Sequence, residues 1–173
     1  LGFLGNRLPD RETRVEAFFL QVAQKMPNHS FLLGGNGWDD KPKSKNVRYV
    51  GHVYTRDHNA FNRTPKAVIN VNRESMARYG FSPPTRVFEA AGAGACLITD
   101  HWEGIALFLE PGSEVLVARN GDEVAQHISE LSAERAHSIG RAALRRILSE
   151  HTYAHRALQL ENLLAGKYQE VAS

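Results

Sequence analysis

Short apolar runs alternate with segments of helical spacing along almost the whole chain, and this alternation constrains the fold more than any other feature. Residues 1–4, 30–33, 47–50, 67–71, 96–99 and 114–118 read as strands, each apolar or β-branched and each stopped by a glycine or a polar residue. After the first run, Val15, Phe18, Phe19, Val22, Ala23 and Met26 recur at three- and four-residue intervals, which predicts one buried helical face. Asp10 is the expected N-cap of that helix, Arg14, Glu16, Gln21 and Lys25 are expected to face water, and Pro27 and Asn28 end it. Thr55 is placed to cap a short helix through residue 61, and Pro84 and Thr85 to open one reaching about residue 93. Residues 73–84, with Gly80 and Pro83-Pro84, read as irregular, and 105–109 as a helical turn. Helical periodicity fills 122–131, 133–149 and 152–164, the last starting at a Thr152 cap.

Strands separated by helices imply an α/β fold: a Rossmann-like three-layer domain, with a mostly parallel sheet of about six strands, helices on both faces, right-handed crossovers and closing C-terminal helices. At 173 residues, 42% of them apolar, one core is the expectation, so residues 1–173 are read as a single domain. A net charge of +2, with both signs interspersed, gives no polyanion-binding surface and so no nucleic-acid partner. Any anion site has to be local. Cys96 stands alone inside an apolar run, which fits a reducing compartment, the cytoplasm, and no disulfide framework. No apolar stretch approaches the roughly 20 residues of a membrane span, and no signal-peptide pattern opens the chain. It begins on a core strand without an initiator Met, so further sequence upstream is expected.

In a sheet of this kind ligands bind beyond the carboxyl ends of the strands. Four loops qualify: residues 5–10, 34–38, 51–55 and 70–86. The first combines the Gly5-Asn6 turn, a helix start and the guanidinium groups of Arg7 and Arg11, a set suited to a diphosphate; a solvated turn is the alternative. Gly34-Gly35-Asn36-Gly37 suggests a dinucleotide loop, but Trp38-Asp39-Asp40-Lys41-Pro42 follows where that fingerprint needs a helix. Lys41, Lys43 and Lys45 fit a solvated loop. Arg86 and Glu89 lie three apart at a helix start, so a carboxylate able to accept both ribose hydroxyls and a phosphate-binding fork point the same way. The other reading is a plain ion pair, with Glu89 complementing the helix dipole. The small residues Ala90-Ala91-Gly92-Ala93-Gly94-Ala95 suit close packing of helix on strand. His151 and His155 have helical metal-ligand spacing but no third ligand nearby, so no metal is expected, and no metalloprotease, ATPase or hydrolase signature is present.

With Arg86-Val87-Phe88-Glu89-Ala90-Ala91-Gly92-Ala93-Gly94-Ala95 and Leu97-Ile98-Thr99-Asp100 placed, the chain resembles the C-terminal domain of GT-B fold group 1 glycosyltransferases, in particular their spore-maturation-protein-like branch. The resemblance runs from Gly2-Phe3-Leu4-Gly5-Asn6-Arg7, through Val50-Gly51-His52-Val53 and Ile69-Asn70-Val71, to Phe108-Leu109-Glu110-Pro111-Gly112-Ser113-Glu114-Val115. It implies a hexosyltransferase that binds a nucleoside-diphosphate sugar such as a UDP-sugar across a cleft, with the acceptor held by an N-terminal domain of the same protein, absent from this chain. By position Glu89 would bind the donor ribose, Arg7 and Arg11 would neutralise the diphosphate as catalytic groups, and Gly51, His52 and Val53 would flank the base. Gly5, Asn6, Asn72 and Arg86 complete the expected substrate contacts. No cofactor and no metal are implied, and the isolated domain is expected to bind donor but transfer little. Phe81 stands where many relatives carry a second glutamate that positions the transferred sugar. That departure leaves sugar identity and stereochemistry open and, with the absent partner domain, admits a non-catalytic nucleotide-sugar sensor; half of a nucleotide-sugar 2-epimerase, which uses two facing domains of the same type, is the other alternative.

Overall fold

A computed structural model describes residues 1–167; residues 168–173, included in the single-domain expectation, lie outside the described part. Six strands form one sheet: β1 (Gly2–Leu4), β2 (Phe31–Gly34), β3 (Val47–Tyr49), β4 (Val68–Asn70), β5 (Leu97–Asp100) and β6 (Leu116–Ala118). Their order is β3-β2-β1-β4-β5-β6, and every pairing is parallel. Phe3 sits in register with Leu33 on one side and Ile69 on the other. This is the strand order of a Rossmann domain, in which the direction of winding reverses between β1 and β4 and leaves a crevice at their carboxyl ends.

The helices are α1 (Glu12–Val15), a π-helical stretch (Glu16–Leu20), α2 (Gln21–Lys25), α3 (His58–Arg63), α4 (Glu74–Tyr79), α5 (Thr85–Gly92), α6 (Gly121–Glu130), α7 (Ala133–Glu150) and α8 (Tyr153–Leu164). Side chains alternate between the two sheet faces, as pleating requires. Phe3, Leu33, Ile69 and Ile98 pack with Phe18, Phe19, Val22 and Val124 beneath α1, α2 and α6, while Val68 and Leu97 pack with Val87, Ala91, Ala143 and Ile147 beneath α5 and α7. Phe3 is 1% exposed and lies 5.8 Å from the Phe19 ring and 6.1 Å from Trp38, so truncating it to alanine costs about 3–5 kcal/mol. No helix among the described residues is long and apolar enough to cross a membrane.

Several local expectations are corrected. Asp10 does not cap the first helix, whose N-cap is Arg11 without a side-chain bond; its carboxylate instead accepts from the Ser75 hydroxyl at 2.7 Å and tethers the start of α4. Residues 74–79, expected to be irregular, form that helix, and Gly80, at φ +73°, ends it in a left-handed turn that a glycine adopts without strain. The π-helical stretch was not legible: its wider turn brings the consecutive Phe18, Phe19 and Leu20 all into the core. Thr55 opens a 3₁₀ turn (Thr55–Asp57), and α3 begins at His58 without a side-chain cap. Arg14, expected in water, reaches across to the end of β5. Thr152 caps α8 as expected, reciprocally with His155.

Candidate functional site

The crevice at the carboxyl end of the sheet is built on backbone brought unusually close. Gly5 follows β1 and donates its N–H to the Gly34 carbonyl at 2.9 Å, and Gly35 donates in turn to Gly51 at 2.7 Å, so the ends of β1, β2 and β3 are laced side by side. Gly35 is at φ +116°, which only glycine tolerates. Asn6 accepts from the Asn36 backbone at 2.9 Å through its side chain, and the fully buried Trp38 donates its indole N–H to the Gly5 carbonyl at 2.8 Å. The Gly-rich loop is thus an anchor for the first turn, in place of the helix start that a dinucleotide fingerprint requires.

Arg7 and Arg11 leave that turn in different directions. Every nitrogen of the Arg7 guanidinium is engaged, with Glu12 at 2.7 and 2.9 Å, Asp40 at 2.7 Å and the Gly37 carbonyl at 3.2 Å. The hydrogen bonds from Arg7, and then those from Lys41, hold the Glu12 carboxyl down to about 2. Arg11 lies over the Phe3 ring at 5.7 Å, donates to the Asn6 carbonyl, and keeps a buried Nε with no acceptor among the described residues. Burial, then the like charges of Arg73 and Arg86, push its pKa down. Asp10 opposes this only weakly, and Arg11 makes no ion pair among the described residues; a partly desolvated guanidinium near two others is an arrangement an anion relieves.

Arg86 and Glu89 stand on the first turns of α5. Arg86 Nη1 is 2.8 Å from Glu89 Oε2 but off the hydrogen-bonding direction, and burial depresses the guanidinium against the pull of that carboxylate. His58 Nδ1 lies 3.4 Å from the same oxygen, and its Nε2 lies 3.3 Å from the Val53 carbonyl, linking α5 to the loop after β3. In that loop His52 contacts Asn36 at 3.3 Å and stands edge-on to Tyr54 at 4.6 Å. The Glu89 side chain remains 40% exposed, so its carboxylate is reachable from solvent beside these two partners.

A buried polar network also lies here, of which sequence reasoning singled out Asn72 alone, as a substrate contact. Asp100, fully buried at the end of β5, accepts from Arg14 at 2.7 Å and from the Asn72 backbone N–H at 3.1 Å; burial pushes its carboxyl up, with Arg14 opposing most strongly. Asn70 joins Asn72 at 3.2 Å and Thr99 at 3.1 Å, leaving the buried Asn72 Nδ2 without an acceptor among the described residues. Arg14 also bonds Glu74 at 3.1 Å. The network fixes the segment from which Arg73 projects. Its sequence signal is the polar ending of two otherwise apolar strands, Asn70 in β4 and Thr99-Asp100 in β5.

The remaining candidates lie elsewhere. Phe81 is 58% exposed beyond α4 and packs its edge toward Gly104. His151 and His155 have separate partners: His155 serves the α8 cap, while His151 meets Arg156 at 2.5 Å and the rings of Phe88 and Phe108. A cavity of about 490 Å³ beside Glu89, lined by Thr85, Phe88, Ile147, His151 and Tyr153, had no precursor in the sequence reading.

Residues 11–162 match the family described as glycosyl transferase-like. Among solved structures, sucrose-phosphate synthase from Thermosynechococcus elongatus aligns at a TM-score of 0.75 and 14% identity, covering 95% of this chain and 44% of that one. Anabaena HepE in complex with UDP-glucose aligns at 0.70 and 12% identity, covering 95% and 48%. The C-terminal domain of the group 1 family glycosyl transferase LpcC from Francisella tularensis aligns at 0.64 and 12% identity, covering 87% and 85%. At such identities the likeness is one of fold. The chain spans between 34% and 51% of the length of TarM, the avilamycin glycosyltransferase AviGT4 and the sucrose-phosphate synthase. No curated protein matches it.

Proposed function

The chain belongs to the glycosyl transferase-like family, and from that premise we propose that it is the C-terminal, donor-binding half of a group 1 hexosyltransferase of the spore-maturation-protein-like branch. The donor is a nucleoside-diphosphate sugar, with UDP as the nucleotide; the UDP-glucose bound to the Anabaena protein supports this choice. One observation carries the reading: Arg11, part-buried, without an ion pair among the described residues and within reach of the charges of Arg73 and Arg86, sits at the reversal of winding order on the same side of the sheet as Glu89.

In this reading Glu89 accepts the ribose hydroxyls, and Gly51, His52 and Val53 flank the base through backbone contacts. Gly5 and Asn6 let the diphosphate approach the backbone, and Asn72 Nδ2 donates to the ligand. Arg11 and Arg86 meet the phosphates. Arg7 acts at one remove, holding the turn through Glu12 and Asp40. Breaking the bond between the anomeric carbon and the β-phosphate oxygen leaves negative charge on the departing nucleoside diphosphate, and guanidinium groups fixed beforehand stabilise it without reorganising. Lost donors of this kind cost about 10²–10³ in rate. The reaction needs no metal on this account. An N-terminal domain of the same protein holds the acceptor, in the cytoplasm, so this chain binds donor and transfers little alone. Soaking crystals with UDP tests the placement: diphosphate density between Arg11 and Arg86 with the ribose on Glu89 supports it, and nucleotide bound away from this crevice opposes it.

A further inference from the structure

At the opposite end of the sheet, where β4 and β5 begin, a second cavity of about 470 Å³ opens between the end of α3, the Ala93-Gly94-Ala95-Cys96 turn and the start of α7. Its floor is apolar, formed by Ala93, Ala95, Ala136 and Leu144, and its rim carries Arg63, Lys66, His137 and Arg141. Among the described residues no Asp or Glu lines it. Lys66 spends one donor on the Leu131 carbonyl at 2.7 Å, and none of the rim cations is paired with a carboxylate among the described residues. One side chain of the lining is out of character. Asn62 is 1% exposed, yet both its Oδ1 and its Nδ2 are buried without a partner.

Buried carboxamides are normally satisfied on both atoms. The geometry points to a second ligand site here, separate from the donor crevice, for a phosphate ester that carries a hydroxyl. The phosphate oxygens accept from Asn62 Nδ2 and from the rim cations, and the hydroxyl donates to Asn62 Oδ1. An anion without a hydroxyl, such as sulfate, satisfies only half of the carboxamide, and a neutral sugar leaves the rim uncompensated. The same chemistry occurs in a soluble phosphate ester and in the headgroup of phosphatidylglycerol.

Glycerol 3-phosphate titrated into the ¹⁵N-labelled chain, followed by NMR with UDP at saturation, tests the site. The Asn62 side-chain amide resonances are a local reporter whether or not UDP occupies the other end of the sheet. They are expected to shift saturably, and the paired substitution Arg63→Gln and Arg141→Gln, on exposed side chains, is expected to weaken the ester about fivefold or more with signal dispersion and UDP binding unchanged. Co-sedimentation with phosphatidylglycerol vesicles but not phosphatidylcholine vesicles, lost in the same variant, assigns the phosphate to a lipid headgroup; no co-sedimentation alongside the NMR shifts assigns it to a soluble ester. Asn62 resonances that stay fixed, or shifts that the paired substitution leaves unchanged, overturn the proposal.

Discussion

A Cβ built on Gly35 would lie 2.2 Å from the carbonyl oxygen of Gly5. The two loops that form the floor of the crevice therefore touch at a point where no other residue fits, and φ of +116° at Gly35 penalises any side chain a second time. Gly35→Ala is expected to destabilise the chain by about 3 kcal/mol and to weaken UDP binding as the Gly5 turn is displaced. Urea denaturation followed by circular dichroism measures the first effect.

Asp100 and Arg14 form a pair with one member fully buried, 2.7 Å apart and 86 residues apart in sequence. Removing one partner of such a pair strands the other. Asp100→Ala is expected to cost about 1–3 kcal/mol, chiefly for the buried Asn72 N–H left without its acceptor, since the part-exposed Arg14 keeps Glu74. Arg14→Ala is expected to cost more, about 3–5 kcal/mol at neutral pH, because it strands the fully buried Asp100 carboxylate, and less in acid, where that carboxyl takes up a proton. The two losses are expected to be non-additive in a double-mutant cycle.

Glu12 makes the folded state sensitive to acid. Its carboxyl is held down to about 2 in the folded chain against an ordinary 4.5, chiefly by Arg7 and then by Lys41. A folded-state pKa below the unfolded one stabilises fully above pH 4.5, and that contribution is lost as pH falls toward 2. Thermal melts between pH 5 and pH 3 are expected to show a shallower decline for Glu12→Gln than for the parent chain.

Where the fold was legible, local chemistry carried the signal: apolar runs closed by glycine, helical spacing, and caps such as Thr152. The π-helical stretch escaped because three consecutive apolar residues, Phe18, Phe19 and Leu20, fit any helical phase. Asp10 and Arg14 were misread because their partners, Ser75 and Asp100, are distant in sequence and meet them only through the topology. Two arginines after the first turn look equivalent on paper. Asp40 and Gly37, on a loop whose path the sequence does not set, occupy Arg7, while Arg11 makes no ion pair among the described residues.

Isothermal titration of UDP into the chain in the presence of a chelator tests the central claim most directly. The account predicts saturable binding, weakened about tenfold or more by Arg11→Ala and again by Glu89→Ala. Absence of binding heat, or equal affinity in the parent and both variants, would contradict it.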